Sequence, residues 1–356
     1  MADRLRLAVA DAGVEIDLGR GVLTDLWFAH GPRVSRPLHR AHWVGGPVPA
    51  GLAPVEAGLE GDFLSAPFGR DDLDPGGPIH GPAANSPWDV LEVAERPDRA
   101  EALLRLRAPV RGARIDKRLT LRAGLPLLET RHEIAGGQGT LTLAHHPMLR
   151  FAGPGHLSFS PKRAALTATA AEPGRHRLAI AARGIDLAAL PGVDGPCDLH
   201  RWPWPPGHED FLTLVEAPGA RLGWTCAMRE AEDDLVLVLK DPATLPVTML
   251  WLSNGGRDRA PWDGRHLGVI GIEDGCTAGD EGSRAAAGAN RIAAEGVASC
   301  VPLAPGRVHR TWQAILALPR PPGWTRLAAV SAEGGLVLHP ERGAPLRLPV
   351  GDTIPG

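Results

Sequence analysis

Along this chain apolar residues recur in short runs, many alternating with polar ones, and clusters of Gly, Pro, Asp or Asn close each run. Alternation with a period of two puts successive side chains on opposite faces of a strand and marks one face for burial. It predicts strands over 22–29, 88–94, 102–107, 115–122, 127–134, 140–146, 211–215, 222–228, 235–240, 247–252 and 308–318. Within 115–122, Ile115, Lys117, Leu119 and Leu121 share one face, and Asp116, Arg118, Thr120 and Arg122 the other. The stretch from Leu235 to Leu239 is apolar throughout, which predicts a strand covered on both sides.

Helical periodicity is scarce. The alanine-rich stretch 283–294 is the one candidate, and Gly288 and Asn290 keep it short. No strand–helix alternation of βαβ length occurs, so a doubly wound sheet is excluded. The 44 glycines and 35 prolines fit many turns between antiparallel strands. The expectation is an all-β fold, mostly antiparallel with few short helices, in a single domain over residues 1–356 of the kind that runs long in β-sandwiches. The proline-rich stretch 190–210 reads as a long surface loop, and such loops are often functional.

Composition narrows the partners. A formal net charge of −3 and a pI near 6.5 leave no basic footprint for nucleic acid and no polybasic membrane signal. No stretch approaches the roughly 18 apolar residues of a membrane helix, and no secretory signal is visible. The expectation is a soluble cytoplasmic protein, a monomer or homodimer. Its four cysteines are scattered, so neither a disulfide framework nor a zinc clip is indicated. Lysine occurs only at positions 117, 162 and 240, the remaining basic charge being arginine.

Chemistry concentrates in few places. His80 sits in Gly77-Pro78-Ile79-His80-Gly81, at a turn or strand edge, with Trp88 following. Arg70 follows a Pro-Phe-Gly turn, and its fork of donors suits paired hydroxyls or a carboxylate. Leu143-Ala144-His145-His146-Pro147 carries adjacent histidines that a strand directs to opposite faces, so they cannot share one metal. If Leu141 and Leu143 face the core, His146 faces outward, at a rim where Pro147 ends the ladder. Glu273 closes the apolar run 267–272, and partial burial there raises a carboxyl toward the range of a general base. Trp202 and Trp204, stiffened by prolines, offer a flat platform for the C–H face of a pyranose, although covering the core is the commoner role of an indole. Asp210, with Glu209 beside it, could bind hydroxyls. No P-loop, dinucleotide glycine fingerprint, G-x-S-x-G or H-E-x-x-H is present, and no cofactor or metal is called for.

Gly69-Arg70, His80-Gly81 with Trp88, His146-Pro147 and the late Glu273, in that order, make the chain resemble the aldose 1-epimerase (galactose mutarotase) family. The resemblance implies a β-supersandwich with a concave sugar-binding cleft and a monosaccharide or sugar-phosphate substrate. It makes Glu273 the general base, His146 the general acid, and Arg70 and His80 substrate contacts. A mid-chain aspartate of the family binds sugar hydroxyls, for which Asp210 is the nearest candidate. Ile79 and Met148 stand where the family commonly has asparagine and an aromatic residue, and Asp274 where Pro or Thr is frequent. Two other readings share this frame: a sugar-binding or sensor protein without catalysis, and a β-sandwich lyase or hydrolase. A glycosidase would need two flanking carboxylates, and only Glu273 is well placed.

Overall fold

The computed structural model describes residues 4–350, so the unit expected over 1–356 runs past the described residues at both ends. Two large antiparallel sheets dominate. In the nine-stranded sheet the neighbours run Arg201–Trp202, Gly155–Phe159, Gly223–Arg229, Asp234–Lys240, Val308–Pro319, Leu125–Gly136, Ala113–Arg122, Arg99–Leu106 and Trp88–Glu95. In the eight-stranded sheet the path is Arg183–Gly184, Lys162–Thr167, His208–Glu216, Val247–Asn254, Val269–Cys276, Leu143–His145 and Leu64–Ser65, with Met148–Arg150 also paired to Val269–Cys276. A four-stranded sheet forms from Arg4–Val9, Ala12–Asp17, Val22–His30 and Arg33–Ser35.

One continuous core joins the two large sheets. Leu212, Leu214, Leu250, Leu252, Ile270 and Ile272 enter it from one side. Ile115, Leu119, Leu128, Ile134, Val236, Val238 and Ile315 meet them from the other. Residues of one strand in these sets lie an even number of positions apart, so alternation delivers one face of the strand to this core. The apolar strand Asp234–Lys240 is indeed covered twice. Its alternate residues Leu235, Leu237 and Leu239 pack outward under Trp224, Trp312, Trp324 and the C-terminal strands Leu327–Ser331 and Leu336–Pro340.

The core also holds charge. The side chains of all three lysines are almost fully enclosed, at 2% exposure or less for Lys117, Lys162 and Lys240. Lys117 Nζ donates to the Gly21 carbonyl at 2.6 Å and lies 4.7 Å from the Trp88 ring centre. Lys162 and Lys240 share Glu216, and Lys240 also lies 3.1 Å from Asp274. A buried ammonium is tolerated only with such partners. Burial, larger than the counter-charge, lowers Lys117 to about 8 and Lys162 to about 8.

Three local expectations change. The stretch 283–294 forms two short helices, Gly282–Ala286 and Arg291–Ala294, and Asn290 caps the second by accepting from the Ala293 N–H. The strand that carries Glu273 does not stop before it but runs from Val269 to Cys276, so the carboxylate lies within the ladder. The stretch 190–210 is only partly loop, because it supplies the strand Arg201–Trp202 and the start of His208–Glu216. Among the described residues no helix is long and apolar enough to cross a membrane.

Candidate active site

On the eight-stranded sheet the face opposite the core holds the chemistry. Register places Glu209 opposite Ser253, Phe211 opposite Trp251, Trp251 opposite Gly271, and Met249 opposite Glu273. Ala144 pairs with Gly275 and Met148 with Gly271, so His146, two residues from each, projects to the same side. Its neighbour His145 projects into the inter-sheet core, where its ring centre lies 4.8 Å from that of His132.

His146 and Glu273 meet. His146 Nε2 lies 3.1 Å from Glu273 Oε1, with both side chains at most 4% exposed. Phe63 stacks on the imidazole at 4.4 Å with an interplanar angle of 20°. Asp62 Oδ1 accepts the His146 backbone N–H at 3.0 Å, which fixes the backbone at the strand end. Burial pulls the His146 pKa down, but the Glu273 charge and hydrogen bond, with Asp62, outweigh it and hold the imidazole above its ordinary value. Burial likewise lifts Asp62 itself to about 6 against the pull of Lys117 and the His146 N–H. Gly271 leaves room for the pair: a Cβ there would stand 2.9 Å from Glu273 Oε1 and 3.2 Å from His146 Cε1 and would force those side-chain ends to shift.

His80 completes the wall, with its ring edge-on to His146 at 5.1 Å. It holds a left-handed backbone, φ 64°, which is unusual for a residue with a Cβ and fits a built loop beside a site. The loop is tied at both ends. His80 N–H donates to the Gly69 carbonyl, Ala66 N–H donates to the His80 carbonyl, and Asn85 Nδ2 donates to the carbonyls of Ile79 and Gly81. Ser65 Oγ lies 2.8 Å from His80 Nδ1 and 3.2 Å from the Pro67 carbonyl. Donating its proton to that carbonyl, the serine accepts from His80 Nδ1–H and leaves Nε2 a free acceptor. Burial, followed by the neighbouring His146 and Arg257 charges, drives His80 well below the ordinary histidine value and keeps it neutral.

These groups line a cleft of about 300 Å³ with Arg70 exposed at its mouth and Phe68, Phe211, Trp251 and Trp262 among its walls. Trp251, Phe211 and Arg257 also border an adjoining cavity of about 420 Å³ that contains Glu172 and Glu209. The cleft thus combines an acid–base pair, neutral and cationic donors and an aromatic wall, the make-up expected of a small polar-ligand site.

Of the residues singled out from sequence, Arg70, His80, His146 and Glu273 are brought together, whereas the 202–210 set is not. Asp210 borders the adjoining cavity rather than the cleft, and its carboxylate accepts the backbone N–H groups of Arg177 and Leu178 and lies 2.7 Å from His208 Nδ1, which ties its oxygens to a loop. Trp202 is corrected, because at 1% exposure it is core and has no free face. Trp204 is half-buried, donates to the Asp198 carbonyl and packs against Trp202 and His208, away from the cleft. The residue of the Glu209-Asp210 pair that faces the cleft side is Glu209. It accepts from Trp251 Nε1 and Ser253 Oγ and lies 3.0 Å from Arg257 Nε. Burial raises its pKa despite Arg257. Phe63, Trp251, Arg257 and Trp262 were not foreseen, because each is a single residue without motif spacing.

No family model and no curated protein matches the chain. Solved structures do match. A proposed mutarotase from Salmonella typhimurium superposes with a TM-score of 0.61 at 13% identity, over 89% of this chain and 91% of its own. A proposed aldose 1-epimerase from Escherichia coli gives 0.59 at 15% identity, over 89% and 99%. A galactose mutarotase related enzyme from Lactobacillus acidophilus gives 0.54 at 13%, over 89% and 97%. At these identities the likeness is one of fold: the chain has the all-β, galactose mutarotase-like fold.

Proposed function

We propose that the protein is an aldose 1-epimerase-type isomerase that interconverts the α and β anomers of a monosaccharide or sugar phosphate. The carrying observation is the buried 3.1 Å contact between His146 and Glu273 on the floor of the cleft. With sugar bound, Glu273 takes the proton of the anomeric hydroxyl as protonated His146 gives one to the ring oxygen. The bond between the anomeric carbon and the ring oxygen breaks, leaving an open-chain aldehyde. Rotation about the next carbon–carbon bond and reclosure with the two roles exchanged give the other anomer. The Glu273 charge that raises His146 keeps the imidazole supplied with a proton near neutral pH, where general acid catalysis needs it.

His80, neutral with Nε2 free to accept, and Arg70 at the mouth would take up substrate hydroxyls. The chemistry asks for no metal or nucleotide, and the reading places the protein in the cytoplasm as a monomer or homodimer. Anomer exchange measured by saturation-transfer NMR on a panel of free and phosphorylated aldoses tests it. Catalysed exchange of at least one of them above the spontaneous rate is the expected result. Binding of sugars with exchange at the solvent rate throughout the panel would replace the enzyme with a binding protein.

A further inference from the structure

Behind the cleft, separated from it by the aromatic wall, lies a second pocket of different character. It measures about 220 Å³, and its lining includes His39, Arg40, His42, Arg150, Arg265 and His266 but no carboxylate. Arg40 is engaged, 3.2 Å from Glu60. Among the described residues, neither Arg150 nor Arg265 has a carboxylate oxygen within 4.0 Å of its guanidinium. His42 feels the charge of Asp263 nearby, but that aspartate does not line the pocket. Unneutralised guanidinium groups around one concavity repel each other and are stable together when an anion bridges them.

The floor of this pocket is built rather than incidental. His39 is 8% and His266 2% exposed, and their Nε2 atoms lie 3.0 Å apart. His266 Nδ1 lies 2.8 Å from Ser253 Oγ, which in turn donates to Glu209 Oε2 at 2.9 Å. The carboxylate at the far end sets the direction of the whole chain. Ser253 gives its proton to Glu209 and so accepts from His266 Nδ1–H. His266 Nε2 is therefore bare and accepts from His39 Nε2–H. The chain can stand in this order only with His266 neutral. His266 also stacks on Trp251 at 5.3 Å and packs against Trp43 at 5.5 Å, forming part of the partition from the cleft.

We infer that this pocket is a binding site for a small oxyanion, inorganic phosphate or the phosphate group of a metabolite, held by Arg150, Arg265 and His42 above the His39–His266 pair. The full chain titrated with inorganic phosphate, followed by calorimetry and by NMR of the histidine rings, tests this. Phosphate is expected to saturate a single site at millimolar concentration or below and to shift the His39 and His266 signals. Added chloride should weaken binding, since the contacts are charged and near the surface. The double variant Arg150→Gln, Arg265→Gln removes two exposed side chains without touching the core. It should fold with an unchanged circular dichroism spectrum and bind phosphate at least about tenfold more weakly, as lost charge-assisted hydrogen bonds require. A parallel titration with a sugar phosphate and its free sugar identifies the source. Tighter binding of the sugar phosphate with the same histidine shifts assigns the site to a metabolite, and equal or weaker binding assigns it to free phosphate. Unmoved His39 and His266 signals at millimolar phosphate, or a double variant that binds like the parent, overturns the inference. None of these readouts depends on anomer exchange.

Discussion

Gly271 lies beneath the space that Glu273 and His146 share, and a methyl group added there would come within 2.9 Å of Glu273 Oε1. The obstructing atoms belong to side-chain ends, so the fold can absorb Gly271→Ala while the acid–base geometry cannot. The variant should keep a near-parental melting temperature and lose roughly 10²-fold in catalysed anomer exchange, the scale of a misplacement of about 1 Å. Saturation-transfer NMR beside a thermal melt checks this. Parental exchange in a folded variant would mean that the pair does not need its present spacing.

Glu273→Gln keeps the shape and removes the basicity. If Glu273 takes the anomeric proton, exchange should drop by roughly two to four orders of magnitude with the fold intact. Single-turnover NMR on the purified variant is the measurement. Near-normal exchange removes Glu273 from the mechanism.

The pH dependence follows from the raised His146, whose burial is outweighed by the Glu273 charge. As the proton donor it should sustain exchange above the ordinary histidine range, with the rate falling as pH rises through its raised value. Stability has the same sign. A group raised on folding contributes fully below its unfolded value of 6.5, and the contribution is lost as pH rises through the folded value. Replacing Glu273 by Gln removes the largest raising influence, so the ring titration of His146 in that variant should move to lower pH. Histidine NMR against pH reads this directly, and an upward movement would contradict the assignment.

Strand positions were legible because burial imposes a period of two, and the assignment of the two faces of 115–122 survives contact with the structure, Lys117 included. What the period cannot say is whether a charged residue on the inner face is enclosed. Lys117, Lys162 and Lys240 are, because groups remote in sequence serve them: the Gly21 carbonyl and the Asp62 charge for Lys117, and Glu216 and Asp274 for the other two. The same limit explains Asp210. Adjacent acids on a strand face opposite ways, and only the partner strand Val247–Asn254 fixes that Glu209 accompanies Trp251. Motif-borne residues such as His80 and His146 could be found by their neighbours in sequence. Phe63, Trp262 and Arg257 could not, since their neighbours are neighbours only in space.

The adjacent histidines are told apart by activity. His146→Asn takes away the proposed acid and should lower exchange by about 10² or more, and it also costs stability because the enclosed imidazole lies against Phe63 and Glu273. His145→Asn leaves the cleft alone but shrinks a side chain packed against His132 in the core, and should destabilise by about 1–3 kcal/mol. Urea titrations and exchange rates on both variants decide. If His145→Asn were the one to abolish exchange, the catalytic face of this strand would be the other one.

Trp202 yields the final expectation, one that runs against a sugar-stacking role. Its ring is 1% exposed, lies 5.9 Å from Trp204 and 5.8 Å from His208, and donates Nε1–H to the Gly268 carbonyl at 3.4 Å. That carbonyl belongs to the turn leading into Val269–Cys276, the strand that carries Glu273. Truncating an enclosed indole removes its burial and leaves a cavity, a combined loss of about 3–5 kcal/mol. Trp202→Ala should therefore shift the urea midpoint strongly, whereas Trp204→Ala, half-buried, should shift it less. Under conditions where Trp202→Ala remains folded, KM should stay close to the parent's, because no face of this indole reaches the cleft. A variant of undiminished stability whose KM rises about tenfold would place the ring against substrate after all.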